Sequence, residues 1–359
     1  MSPLAPILAA QIATEGPMSL ADFMAACLLH PQHGYYATRD PLGRAGDFTT
    51  APEISQMFGE MLGLCLAQAW VDQGRPSPFL LAEIGPGRGT LMSDVLRAIR
   101  AVAGMADAAQ VHLVEASPVL RSRQRERLGG AAEWHATIES LPDGPLFLVA
   151  NEFFDALPIR QFVRHGRGWC ERQVGLSDGR LTLGLGPETR FPALAHRIAD
   201  TVDGDIVELC PAAGPIAADI ADRIARFGGA ALVIDYGGWH SLGDTFQAVR
   251  GHRPVDPLVD PGDADLTAHV DFEALAMAMR DAGAAVTRMT PQGVFLERLG
   301  ITARAQALAR KLRDAALAEH VAAHRRLTHP EEMGEVFKVI ACHPTGTPAP
   351  AGLDVEPCT

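Results

Sequence analysis

No apolar run in this 359-residue chain approaches the roughly 20 residues that a membrane-spanning helix needs. The longest, such as Leu146 to Ala150 and Ala230 to Ile234, have the length of strands, so no transmembrane span is expected. A basic excess is missing too. Thirty-one Lys and Arg stand against 43 Asp and Glu, a formal net charge of −12. Such a surface repels phosphate backbones unless its basic residues are segregated, which excludes nucleic acid as the default partner. The first residues, MSPLAPILAAQIATEG, carry neither a basic n-region nor an Arg-rich amphipathic pattern, and this predicts a cytoplasmic protein. The six cysteines, at 27, 65, 170, 210, 342 and 358, form no CxxC pair and no Cys/His cluster at metal-ligand spacing. Reduced thiols and no metal site are expected.

What is present is globular. An apolar content of 47% with 21% charge is near the average for folded proteins, and the length suits about two domains or one large α/β domain with insertions. Ser19 and Asp22 form a capping pair for a helix to His30 whose apolar face is Leu20, Phe23, Met24 and Cys27. Thr50, Pro52 and Glu53 open a second helix, with Ile54, Met57, Phe58, Met61, Leu62 and Cys65 repeating at three and four residues through about Trp70. Two helices are therefore expected before the first strand.

Short β runs then alternate with helical segments: Phe79 to Ile84, a helix from about Thr90, Val111 to Glu115, a helix from about Pro118, a run near Trp134, and Leu146 to Ala150. That alternation predicts right-handed crossovers and a mostly parallel sheet covered on both faces. The series resumes at Ala230 to Asp235. Between them, QFVRHGRGWCERQVGLSDGRLTLGLG reads as an antiparallel meander inserted into the series. The Gly/Pro/Asp-rich stretch after Asp235 lacks periodicity and is long for a connection, which predicts a functional or substrate-facing loop. A helix from Phe272 to about Ala282, a strand at Ala285 to Met289, a helical segment from Thr302 to about Arg326 and a last strand from Val336 to Cys342 follow, then a tail expected to be disordered.

Glu83 to Thr90, EIGPGRGT, stands where the first strand ends and a helix begins, so its glycines let the backbone turn sharply and approach a ligand. The pattern is E-x-G-x-G-x-G, not the dinucleotide GxGxxG. An acid two residues before the first glycine suits a ligand that carries cations, the amino group and sulfonium of S-adenosylmethionine, better than a pyrophosphate. Glu115 closes the second strand, where a carboxylate can accept from both ribose hydroxyls; an ordinary strand-end acid is the alternative. Asn151, Glu152 and Asp155 in ANEFFDALP follow the fourth strand, where an acceptor is held. They read either as the groups that hold a nitrogen nucleophile, the carboxylates pairing a guanidinium or ammonium, or as solvated loop polarity. Asp47 in GDFTTAP reads equally as a site residue or an Asx turn.

The chain resembles the MidA-like class I S-adenosylmethionine-dependent methyltransferases, through HGYYATRDPLGRAGDFTTAPEISQMFGEMLG, EIGPGRGTLMSDVLRA, NEFFDALPIRQF, ALVIDYGG, PQGVFLERLGI and MGEVFKVIAC, among other segments, almost end to end. The resemblance implies an α/β Rossmann-like fold: a mostly parallel seven-strand sheet with N-terminal helices, an antiparallel meander insertion and a C-terminal helical insertion before the last strand. It implies an N-terminal helical region at 1–75 that completes the donor site, a core at 76–156 and 205–342 with the helical insertion at about 291–330, a recognition insertion at 157–204, and a tail at 343–359. S-adenosyl-L-methionine would lie against Gly46, Asp47, Glu83, Gly85, Pro86, Gly87, Gly89, Glu115, Ala116 and Asn151. Glu152, Asp155, Asn151 and Asp47 would serve catalysis. The implied acceptor is a protein arginine, on a respiratory complex I subunit or a similar protein, and a homodimer is allowed. Unlike the better known arginine methyltransferases, which set two glutamates on a longer loop, this chain has only Glu152 and Asp155, three residues apart. The alternative function is an assembly chaperone that binds the donor and grips a partner subunit. An NAD-dependent dehydrogenase is disfavoured by the glycine spacing.

Overall fold

The structure, a computed structural model, describes residues 2–38 and 49–355. It divides into two compact units, Met1–Phe48 with Asp155–Ala213 and His240–Asp271, and Thr49–Phe154 with Gly214–Trp239 and Phe272–Thr359.

The second unit is built on seven strands: β1 (Phe79–Ile84), β2 (Ala109–Val114), β3 (Ala132–His135), β4 (Leu146–Asn151), β5 (Gly229–Gly238), β6 (Ala285–Val286) and β7 (Phe337–His343). They lie in the order β6-β7-β5-β4-β1-β2-β3. Pairs β5–β4, β4–β1, β1–β2 and β2–β3 are parallel, and β7 runs antiparallel to β5 and β6. Every residue of β1 and β4 is buried, because helices cover both faces of a parallel sheet and leave no solvent side for alternation. The helix Gln56–Asp72 crosses Thr90–Ile99 closely: a Cβ on Gly59 would lie 2.6 Å from the Asp94 Cβ, and one on Gly63 3.0 Å from the Ala98 Cβ. Four residues apart, the two glycines share one helix face and form the seam. Helices Gln292–Arg298, Ile301–Ala309 and Asp314–Thr328 precede β7, so the C-terminal helical insertion is present, and the expected seven strands form the main path of a sheet that Thr290–Pro291 also joins, beside β7.

The first unit carries the meander, Arg160–His165, Gly168–Ser177 and Arg180–Thr189, antiparallel throughout. Its core joins Leu4, Leu8, Phe23, Met24 and Tyr35 to Ile159, Val174 and Leu266. Ser19 caps Leu20–Leu29 as expected, accepting from the Asp22 N–H at 3.1 Å.

Four expectations are corrected. A helix over Leu4–Glu15 precedes the two expected; its apolar residues run nearly all round, which hid the amphipathic stripe. The helix expected from Thr50 is two, Ala51–Ile54 and Gln56–Asp72, because Ser55 is extended and caps the second through the Met57 N–H. The stretch expected as an irregular loop contains three paired strands, Gln247–Arg250, Arg253–Val255 and Asp265–Thr267. The tail is ordered as far as it is described: Leu353 is buried and Val355 bridges Thr287, so apolar burial overrides the proline-rich composition.

Candidate active site

The sheet order reverses at β1, which has β2 on one side and β4 on the other, and a ligand crevice forms at the carboxyl ends of strands at such a switch point. Three polar groups stand at those ends. Glu83, next to last in β1, is 3% exposed. One of its oxygens takes the backbone N–H of Met92, while Oε2 has no partner. Burial, with smaller contributions from the charges of Glu115 and Asp94, pushes its carboxyl up to about 8. Asn151 ends β4 with its Oδ1 likewise buried and unpartnered. Other buried side-chain atoms without partners occur in the protein, Gln292 Oε1 and His343 Nε2 among them, but these two stand on adjacent strands at the switch point, where a ligand can supply the missing partner.

Glu115 follows β2. Its Oε1 accepts from the Ser117 N–H at 2.7 Å and its Oε2 from Gln124 Nε2 at 3.3 Å, and its carboxyl is raised by burial. Each oxygen keeps a lone pair for a hydroxyl donor. Ala116 beside it is exposed. Between β1 and the helix, Gly85 and Gly87 have φ of 65° and 52°, conformations that side chains resist. A Cβ on Gly85 would stand 2.9 Å from the Phe153 ring. Pro86 is buried and its carbonyl accepts from the Gly89 N–H at 2.7 Å, closing the turn. The unpartnered acceptors, the acid two residues before the turn and the left-handed glycines fit a donor with a cationic amino acid end and a ribose.

Glu152 sits at φ 50°, a strained setting for a residue with a Cβ. Its Oε1 accepts from the Ala51 N–H at 3.0 Å and from Asn151 Nδ2 at 3.2 Å, whereas Oε2 makes no hydrogen bond among the described residues. Burial raises its carboxyl pKa against the pull of those bonds and of the Arg326 charge. Asp155 belongs to the other unit. There, with Asp265, it raises the Tyr36 hydroxyl well above the usual phenol range, burial being the larger cause, and Tyr36 donates to Asp265 Oδ1 at 2.8 Å. The two carboxylates that looked alike in sequence therefore have different settings. Gly46 and Asp47 lie outside the described residues.

Two residues have a part in this geometry that the sequence does not supply: Gln124 is unmarked there, and the turn at Asp235, Tyr236 and Gly237 reads equally as an acceptor-channel or lid element or as loop architecture. Gln124, fully buried, donates from Nε2 to the Gly87 carbonyl at 2.8 Å and to Glu115, and its Oε1 accepts from Trp134 Nε1 at 2.8 Å. It ties the glycine turn to Glu115, and nothing in RSRQRERL marks it except its lack of charge. Asp235, on β5 and fully buried, has Oδ2 accepting from the Phe153 and Phe154 N–H groups at 3.2 and 3.0 Å and Oδ1 from the Tyr236 N–H at 2.9 Å. Its chemistry was not deducible from residue type; the structure makes it the anchor of the loop that carries Glu152.

Among known proteins, the protein arginine methyltransferase NDUFAF7, mitochondrial, of Xenopus laevis is 36% identical over 93% of this chain and 83% of its own length. Its Homo sapiens counterpart is 36% identical over 96% and 84%. The crystal structure of a Burkholderia thailandensis protein bound to S-adenosyl-homocysteine superposes with a TM-score of 0.85, at 33% identity over 97% of this chain and 93% of that one. The cytoplasmic expectation is overturned, since the relatives from frog, human and Drosophila melanogaster are mitochondrial by name. The expectation rested on the lack of a recognisable targeting pattern in the first sixteen residues, and the lack of a pattern there does not determine the compartment. No helix among the described residues is long and apolar enough to cross a membrane. A family model for S-adenosyl-L-methionine-dependent methyltransferases matches residues 61–290, and with these relatives it shows that the chain belongs to that family.

Proposed function

We propose that the chain transfers a methyl group to an arginine side chain of a protein, a respiratory complex I subunit being the target class that the sequence resemblance implies. The observation that carries the reading is Glu152: a half-buried carboxylate on an anchored loop, next to Asn151, with one oxygen held and the other uncommitted. The relatives named as protein arginine methyltransferases support the choice of acceptor. When bound, S-adenosyl-L-methionine supplies a methyl group on a sulfonium, ready for nucleophilic displacement.

Glu115 would hold the ribose hydroxyls, Glu83 the amino group, and Gly85 and Gly87 the close backbone approach. Glu152 Oε2 would take the guanidinium by a charge-assisted hydrogen bond, fixing one nitrogen in line with the methyl. A guanidinium in water is almost never deprotonated. The proton must leave as the nitrogen is methylated, and a carboxylate whose pKa is raised by burial is a better base for it than an exposed one. Asp155, in its separate setting with Tyr36, serves the protein side of recognition.

The test is Glu152→Gln, assayed with labelled donor on protein from the host and with hydrolysis of the product to amino acids. Loss of a charged hydrogen bond of about 1.5–3 kcal/mol predicts a fall in methyl transfer of roughly ten- to hundredfold, an unchanged donor affinity, and label in methylarginine. Full turnover would remove Glu152 from the mechanism, and label in methyllysine would overturn the acceptor.

A further inference from the structure

His112 on β2 and Glu133 and His135 on β3 are distant from the methyl-transfer argument and were not grouped by the sequence, since 20 residues separate His112 from Glu133. Parallel pairing aligns His112 with Glu133 and Val114 with His135, so the three side chains stand on one face of the two strands. Among the described residues they form a cluster whose ligand atoms all lie within 4.8 Å of one another. His112 Nδ1 is 2.9 Å from His135 Nε2 and 3.9 Å from Glu133 Oε2.

The hydrogen bonds behind His135 decide which of its nitrogens is available. Ser140 Oγ donates its proton to the Thr137 carbonyl at 2.7 Å, and it lies 3.2 Å from His135 Nδ1. With its own proton committed, Ser140 accepts from His135 Nδ1–H. The proton is thereby held on Nδ1 and the Nε2 lone pair faces His112 Nδ1, whose own proton moves to the buried, unpartnered His112 Nε2 when an ion takes its place. A ligating histidine characteristically donates its second ring N–H to such a partner. Two imidazole nitrogens at about 2.0–2.1 Å from an ion and 2.9 Å from each other subtend about 90°, and a small opening of the pair reaches a tetrahedral angle. His112 is 3% exposed, which fixes its ring, while Glu133 is largely exposed and free to swing onto the ion as the third ligand.

We propose that His112 Nδ1, His135 Nε2 and Glu133 bind one divalent transition-metal ion of the zinc, nickel or copper class, with a water in the remaining position. The donor set, two imidazoles and a carboxylate without thiolate, suits that class rather than magnesium or calcium. The ion would pin the edge strand β3 to β2 next to the donor site. There the His135 carbonyl already accepts from the Glu115 N–H at 3.0 Å and from Arg121 Nη2 at 2.8 Å.

The full-length protein, freed of any affinity tag and stripped with chelator, is titrated with Co(II) and then Zn(II). Expected are one Co(II) per chain with visible d–d absorption, its displacement by Zn(II), and a rise in melting temperature that His112→Gln and His135→Gln remove while both variants still bind S-adenosyl-homocysteine. Ser140→Ala should weaken the metal by roughly tenfold or more. Glu133→Ala, at an exposed position that cannot unfold the protein, should weaken it at least tenfold and keeps the test alive if a histidine variant does not fold. Stoichiometric binding that survives in Glu133→Ala and His135→Gln, a thiolate charge-transfer band, or no binding at all overturns the proposal and leaves a histidine–histidine hydrogen bond.

Discussion

Glu83 and Glu208 are both 3% exposed glutamates with carboxyls raised by burial, one in each compact unit. Their surroundings differ. Glu208 Oε1 accepts from Gln161 Nε2 at 2.7 Å and from the Thr245 N–H at 2.9 Å, and its Oε2 accepts from the Thr245 hydroxyl. Gln161 also donates to Asp244, whose other oxygen takes Arg172. That network sews the 240–271 segment to the meander, and both oxygens of Glu208 are engaged within it. Glu83 keeps an oxygen with no partner. Burial is common to the two glutamates; what distinguishes Glu83 is an unmet hydrogen bond at the carboxyl end of β1, a position that matters because unmet bonds also occur away from the strand ends, at Gln292 Oε1 and His343 Nε2.

The sharpest attempt to break this contrast is Asp235→Ala. Asp235 lies in the same unit as Glu83 yet is fully engaged, like Glu208. Its loss leaves three backbone N–H groups without an acceptor and is expected to cost about 3–5 kcal/mol, read as a fall in melting temperature, with methyl transfer lost as the Glu152 loop relaxes. Preserved stability would show that the anchor is dispensable.

Next in size is the exchange of the two glutamates. Glu83→Gln is expected to weaken S-adenosyl-homocysteine by roughly ten- to hundredfold, for a charged hydrogen bond of about 1.5–3 kcal/mol, with stability nearly unchanged, because the ligand-free carboxyl is already protonated below about 8 and the amide replaces a neutral group. Glu208→Gln should do the reverse, lowering stability by about 1–3 kcal/mol while leaving the donor Kd within about twofold, the spread expected of a site with no ligand contact. Calorimetric titration and thermal unfolding of both variants decide it, and a Glu83→Gln protein that binds normally would undo the contrast.

A pH titration is the next smaller test. Free Glu83 stays protonated up to about 8, whereas a cationic amino group on the ligand favours the carboxylate. Binding should then release a proton below that value, and affinity should rise with pH, by at most about tenfold per unit, until it levels near 8. Stability without ligand has the opposite sign. The folded pKa lies above the unfolded one, so this residue's contribution is complete below the unfolded pKa and is lost as pH rises through about 8. Proton release that persists in Glu83→Gln would assign it to another group.

The smallest effect belongs to an acid that is satisfied but exposed. Arg298 Nη1 donates to Asp354 at 2.8 Å with both side chains in solvent, and Arg298→Ala should cost under about 1 kcal/mol. Leu353→Ala, in the same ordered tail, should cost about 2–5 kcal/mol, so unfolding curves of the two variants separate burial from pairing.

Local order was legible wherever one residue's neighbours in sequence are also its neighbours in space. The strand runs, the capped helix at Ser19, the meander with its HGRG and SDG turns and the glycine turn after Glu83 follow from periodicity and backbone preference, and they place Glu83, Glu115 and Asn151 at the ends of strands. Tertiary structure decided what those periodicities do not encode. Gln124 reaches Gly87 and Glu115 only because its helix packs over the turn, Asp235 caps residues 153 and 154 only because β5 lies beside β4, and His112 meets His135 only through strand register. A hydrogen bond between residues 9 to 81 positions apart leaves no periodic trace, since side-chain reach is a few ångströms while the chain path between the partners is set by the whole fold.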